Sequence, residues 1–170
     1  FKRRWRMKYI LKRLFGKRLP DRPEDCVDGG VRINNCTDAP KVIYSTKPVA
    51  FECHLSTVAM VDLAVERSLF KLKARLENGV VAVSYQSYTE SKSFTAAPSF
   101  MDELQSIISR FDFAQFNGHN MRVSGLPDMF GAYLSVDYQS GERISASNNQ
   151  DCFIPPDAIP LLISLFKGAF

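Results

Sequence analysis

Two histidines, four cysteines and one run of cations are the residues of this 170-residue chain whose types could do chemistry. His54 lies in Phe51-Glu52-Cys53-His54, where strand alternation puts His54 and Glu52 on one side and Cys53 on the other. A Cys–His dyad is thereby excluded, and a solvated His–Glu pair is expected. His119 lies in Asn117-Gly118-His119-Asn120, a turn-forming string with Arg122 and Asp128 close in sequence. Asn117, His119 and Arg122 form the alternative polar site of the chain, since loops often carry function. Around them there is no Gly-x-Ser-x-Gly, no His-x-x-x-His and no Gly-rich loop following a strand. No catalytic residue, metal or cofactor is expected. Phe111, Phe113 and Phe116 lack interleaved cations, so they read as core and rim, not as a base-stacking platform.

Cys26 and Cys36 are separated by nine residues with no second Cys or His pair, which matches no common zinc spacing. A hairpin could bring their Cα atoms within bonding range. With Cys53 in a strand and Cys152 in a loop there is no disulfide framework, and free thiols in a reducing compartment are expected.

Charge is divided along the chain. Nine of the 22 basic residues fall in residues 1–18, as Lys2, Arg3, Arg4, Arg6, Lys8, Lys12, Arg13, Lys17 and Arg18, with no acid before Asp21. Thirteen basic and eighteen acidic residues remain, so the rest of the chain carries a net charge of −5. The arm also has helical order. Met7, Ile10, Leu11, Leu14 and Phe15 make one apolar stripe, ended by Gly16 and Pro20. Three uses fit: packing on the domain, attachment to an anionic membrane with Trp5 at the headgroups, or contact with nucleic-acid phosphates. A transit-type peptide shares this composition, whereas Lys8, Lys12 and Arg13 interrupt any secretory apolar region. Phe1 is not an initiator Met, so trimming of a longer precursor is an expectation.

The elements that must position these residues follow from periodicity. Residues 19–40 read as a linker or loop punctuated by Pro20, Pro23, Gly29, Gly30 and Pro40. Val42–Tyr44 predicts a short strand, and Val49, Phe51, Cys53 and Leu55 a half-buried one. Thr57–Val65 lacks a clean period and reads as a loop or one short helix. Phe70, Leu72, Ala74 and Leu76 alternate up to Asn78-Gly79, and Val81, Val83 and Tyr85 follow. A type I′ turn there pairs Glu77 with Val80, Leu76 with Val81, Ala74 with Val83 and Leu72 with Tyr85. Ser99, three residues before Asp102, starts a helix with the stripe Phe100, Leu104, Ile107, Ile108 and Phe111. A second hairpin turns on Gln139-Ser140-Gly141, opposing Val136 to Ile144, Leu134 to Ala146 and Asp137 to Arg143. Asp157 caps a last helix with Ile159, Leu162, Ile163 and Phe166 on one face.

The run Gly131-Ala-Tyr-Leu-Ser-Val-Asp-Tyr-Gln-Ser-Gly-Glu-Arg-Ile-Ser-Ala-Ser-Asn-Asn, then Pro155-Pro156 and an apolar helix, resembles a known group. It is similar to the C-terminal part of small uncharacterised α+β proteins of gut-dwelling Gram-positive bacteria. With Phe111–Pro127 the resemblance covers about the last third of the chain. It implies a shared α+β architecture and brings no activity or site residues.

The expectation is a basic arm at 1–18, a linker or loop at 19–40 and an α+β domain at 41–170. In that domain an antiparallel sheet of about four to six strands carries helices on one face. No stretch reaches the roughly 18 apolar residues of a membrane-spanning helix, so a soluble, cytoplasmic chain, peripheral to the membrane through its arm, is expected. Functionally, a non-enzymatic interaction module is expected, docking the arm on an anionic membrane surface or nucleic acid and open to a protein partner. A small hydrolase-type enzyme using the His119 loop is the alternative.

Overall fold

In the computed structural model, the described residues are 30–60 and 62–168, and the helix expected at 1–18 lies outside them. Eight strands form one sheet: β1 (Val31–Ile33), β2 (Pro48–Ser56), β3 (Leu69–Glu77), β4 (Val80–Gln86), β5 (Ser91–Ala96), β6 (Asn120–Val123), β7 (Ala132–Tyr138) and β8 (Arg143–Asn148). Helix α1 (Ser99–Arg110) follows β5, a 3₁₀ turn spans Phe113–Phe116, and helix α2 (Ala158–Lys167) follows β8. The strand order is β1-β6-β8-β7-β2-β3-β4-β5. Every neighbouring pair is antiparallel except β6 and β8, which run parallel.

Both hairpins have the register the alternation predicts. Glu77 faces Val80, Leu76 faces Val81, Ala74 faces Val83 and Leu72 faces Tyr85. Asn78 and Gly79 supply the two positive φ angles of a type I′ turn, 51° and 80°. Leu134 faces Ala146, Val136 faces Ile144 and Asp137 faces Arg143, with Gly141 at φ 87° in the loop. Because both registers put every alternate apolar residue on one side, that side becomes the core. Phe51, Cys53, Leu72, Val83, Leu134 and Ile144 are all buried there. The helices cover it. The Phe166 ring of α2 lies 5.6 Å from Phe51 in β2 and 5.2 Å from Phe100 in α1, so three elements meet at one aromatic cluster.

Several expectations are corrected. The sheet has eight strands and is mixed, where four to six antiparallel ones were expected. The additional strands β1, β5 and β6 are short or sit at the margins of the sheet. Their side chains need not alternate, because pairing is set by backbone hydrogen bonds to neighbours remote in sequence. Val42–Tyr44 is not a strand. The amides of Tyr44 and Ser45 donate instead to the two carboxylate oxygens of Glu142, each at 2.9 Å. No side-chain hydrogen bond caps either helix, so neither the Ser99–Asp102 box nor the Asp157 cap forms. Leu76, at the turn end of the β3 stripe, is only partly buried. Thr57–Val65 takes the loop of its two expected forms, with no helix among the described residues, and Thr57 Oγ1 closes it by donating to the carbonyl of Glu66 at 2.7 Å. Strand β1 falls within the 19–40 stretch and pairs with β6.

Candidate functional site

Alternation that buries one set of side chains obliges the other set to face away from the helices. Strand pairing then lines these up in rows across the helix-free face. One row runs Ser145, Ser135, Glu52, Lys73, Ser84, Ser93. The next runs Asn120, Ser147, Tyr133, His54, Lys71, Gln86, Ser91. A third runs Arg143, Asp137, Ala50, Arg75, Ala82, Thr95. Small residues and hydroxyls dominate, which leaves room above the sheet. A groove of about 920 Å³ lies over β2, β3, β4 and β7, and a cavity of about 400 Å³ adjoins it beyond Tyr133.

Ion pairs organise the groove. Glu52 Oε1 lies 2.8 Å from Lys73 Nζ and 2.9 Å from His54 Nε2. His54 Nε2 is shielded from solvent, so the Glu52 carboxylate is the polar group it faces. The hydrogen bond from Lys73 holds the Glu52 carboxyl below its ordinary range. Burial lowers the affinity of His54 for a proton, opposed by Glu52 and assisted by Lys73 and Lys71. Its ring sits 5.5 Å from that of Tyr133. Further along, Arg143 Nε lies 3.1 Å from Asp137, and its Nη2 donates to the buried Ser135 hydroxyl at 3.0 Å. Arg75 Nε is 3.9 Å from Glu77. Cys53, next to His54 in the chain, is buried on the other face, as alternation requires.

The residues of the alternative polar site do not converge. Asn117 is buried, and its amide ties three segments together. Its Nδ2 donates to the carbonyls of Pro40 and Arg143 at 2.9 and 3.0 Å, and its Oδ1 accepts from the Ser145 amide at 2.8 Å. Lys41 Nζ donates to its backbone carbonyl. His119 stands edge-on to Phe153 and lines a shallow cavity with Cys36, Thr37 and Lys41. Arg122 lines the separate cavity beside His54. The anion-binding set of the arm, Lys2, Arg3, Arg4, Trp5, Arg6, Lys8, Lys12, Arg13, Lys17 and Arg18, lies outside the described residues.

Sequence reasoning missed Tyr133, Ser135 and Lys71 as members of one site. The signal for Lys71 was present, because Lys71, Lys73 and Arg75 alternate with the buried stripe of β3. No local pattern carried the placement of β7 beside β2. Among the described residues, no three His, Cys, Asp or Glu side chains gather as metal ligands, and no helix is long and apolar enough to cross a membrane. Comparison of the chain with family models, curated proteins and solved structures gives no match.

Proposed function

We propose that the protein is a non-enzymatic binding module that presents the helix-free face of its sheet to a ligand and uses its basic arm to attach to an acidic surface. The observation that carries this reading is the character of the open face. It holds a groove of ligand size whose charged side chains are already held in place by one another, Lys73 by Glu52 and Arg143 by Asp137. Such a surface is ordered before a ligand arrives, which lowers the entropic cost of binding. Among the described residues, no hydroxyl or thiol is hydrogen-bonded to His54 Nε2. The hydrolase alternative draws less support, because the Asn117 amide is occupied structurally and His119 and Arg122 line different cavities. Kinship with the small α+β proteins it resembles over about its last third is proposed on the same footing and adds no ligand.

The arm is tested on the intact chain with vesicles of phosphatidylglycerol in phosphatidylcholine and with duplex DNA. Replacing Lys8, Lys12, Arg13 and Lys17 by Gln removes four charges without shortening the chain. Binding that weakens in this variant and with added salt supports the reading. Equal binding by both forms, or none by either, removes the arm from it. Replacing Met7, Leu11 and Leu14 by Ser separates the two surfaces, since only membrane attachment needs buried hydrocarbon.

A further inference from the structure

The cations of the open face divide into two groups. Lys73, Arg75 and Arg143 each lie against an acid, Glu52, Glu77 and Asp137 respectively. Lys71 and Arg122 are exposed and have no acidic partner among the described residues. Both line the same cavity of about 400 Å³.

The remaining polar groups of that cavity sharpen the contrast. Most of its side-chain acceptors are already engaged within the protein, and the one carboxylate of the lining, Asp128, is engaged through a single oxygen. Asn149 Nδ2 donates to Asp128 Oδ1 at 2.6 Å, and Asn149 Oδ1 accepts from the Val123 amide at 2.8 Å. Asn148 Oδ1 accepts from the amides of Gln150 and Asp151, and Asn120 Oδ1 accepts from the Ser147 hydroxyl. Donors are what is left over: the Lys71 ammonium, the Arg122 guanidinium, Asn120 Nδ2 and the Tyr133 hydroxyl. A cavity with surplus donors and two cations to one carboxylate, neither cation paired with it, suits a ligand that is acceptor-rich and negative.

Position sets the ligand's shape. Arg122 belongs to β6 and Lys71 to β3, with β8, β7 and β2 between them. Four interstrand steps separate their backbones by roughly 19 Å, so the two side chains approach the cavity from opposite ends. Tyr133 and His54 stand between them in the same row, ring to ring at 5.5 Å. Leu55, Phe70 and Met121 add apolar wall.

We infer that this cavity binds a small elongated ligand with two anionic groups, phosphoryl or carboxylate, joined by a planar or apolar centre. One group meets Arg122 and Asn120, the other meets Lys71, and the centre lies along Tyr133. This assignment rests on the reading of the open face as the recognition surface.

The test follows backbone amides of the intact chain by NMR while hydroquinone bisphosphate, phenyl phosphate and uncharged hydroquinone are added in turn. The bisphosphate should move the amides of His54, Lys71 and Arg122 and should bind more tightly than phenyl phosphate. Lys71→Met or Arg122→Met should each weaken the bisphosphate roughly tenfold, toward the level of the mono-anion. Arg110→Gln, on the helical layer, should leave it unchanged. 1,4-Benzenedicarboxylate in place of the bisphosphate distinguishes carboxylate from phosphoryl as the anionic group. Two results overturn the inference. If both bis-anions move only arm amides, or if hydroquinone binds the cavity as tightly as they do, the anionic ligand class is wrong while the open face stands as a surface. If no amide of the open face responds to any probe, the reading of that face fails as well.

Discussion

Lys71 is the direct cross-strand partner of His54, whereas the next cation along the same face of β3, Lys73, reaches the carboxylate of Glu52 at 2.8 Å. His54 is therefore flanked by one compensated and one uncompensated cation, and it lies 2.9 Å from Glu52 itself. Two residues of spacing on one strand separate an internally satisfied charge from one that is available.

The titration of His54 reports this balance. Burial is the largest influence and lowers its pKa from the ordinary 6.5, with Glu52 opposing and Lys73 and Lys71 assisting. In the native state it should titrate below 6.5, followed by its imidazole proton resonance. Glu52→Gln should move the midpoint further down, and Lys71→Met should move it up. Because the unfolded chain then binds the proton more readily, the contribution of His54 to stability is present above about 6.5 and is lost as pH falls through the folded value. A midpoint at or above 6.5, or an upward move in Glu52→Gln, counts against the geometry.

Asn117 should prove structural. Asn117→Ala leaves the Ser145 amide and the carbonyls of Pro40 and Arg143 without their partner, at a cost of about 1–3 kcal/mol in urea unfolding. Asn117→Asp should cost at least as much, since it turns a carboxylate toward two carbonyl oxygens. An unchanged unfolding midpoint in both would show that the latch contributes nothing.

Gly79 and Gly131 separate backbone strain from collision. A Cβ at Gly79 would meet nothing within 4 Å, so Gly79→Ala suffers only its φ of 80°, about 1–3 kcal/mol at most. Gly131 has no positive φ, yet a Cβ there would lie 2.1 Å from the carbonyl oxygen of Asn148. Relief requires β7 to move away from β8, so Gly131→Ala should melt at the lower temperature of the two. The reverse order in thermal melts would contradict the β7–β8 packing.

The free thiols should react in order of exposure. Cys36 is exposed, Cys152 is partly buried and Cys53 is fully buried. Burial raises the Cys152 thiol and raises Cys53 well beyond the ordinary thiol range, and the thiolate is the reactive form. Alkylation of the native chain, mapped by peptide mass, should mark Cys36 first, Cys152 later and Cys53 only on unfolding. Early labelling of Cys53 would place it outside the core.

Much of the fold was legible because it rests on local rules. Asn78-Gly79 permits one tight turn, so the β3–β4 register followed from chemistry within a few residues. The Gln139-Ser140-Gly141 loop determined β7–β8 in the same way, and the stripes of α1 and α2 declared their buried faces. That Cys53 and His54 point apart follows from strand geometry alone. The tertiary structure decided the rest. Which hairpins become neighbours depends on the backbone edges they leave open and on closure of long loops, and neither leaves a trace in periodicity. Only that assembly placed β2 between β3 and β7, gave Tyr44 and Ser45 to Glu142 in place of a strand partner, and set Lys71 and Arg122 at two ends of one cavity. The charges were written in the sequence, and so was the Asp137–Arg143 pair that one hairpin brings together; the Glu52–Lys73 pair was not, because it depends on which strand lies alongside.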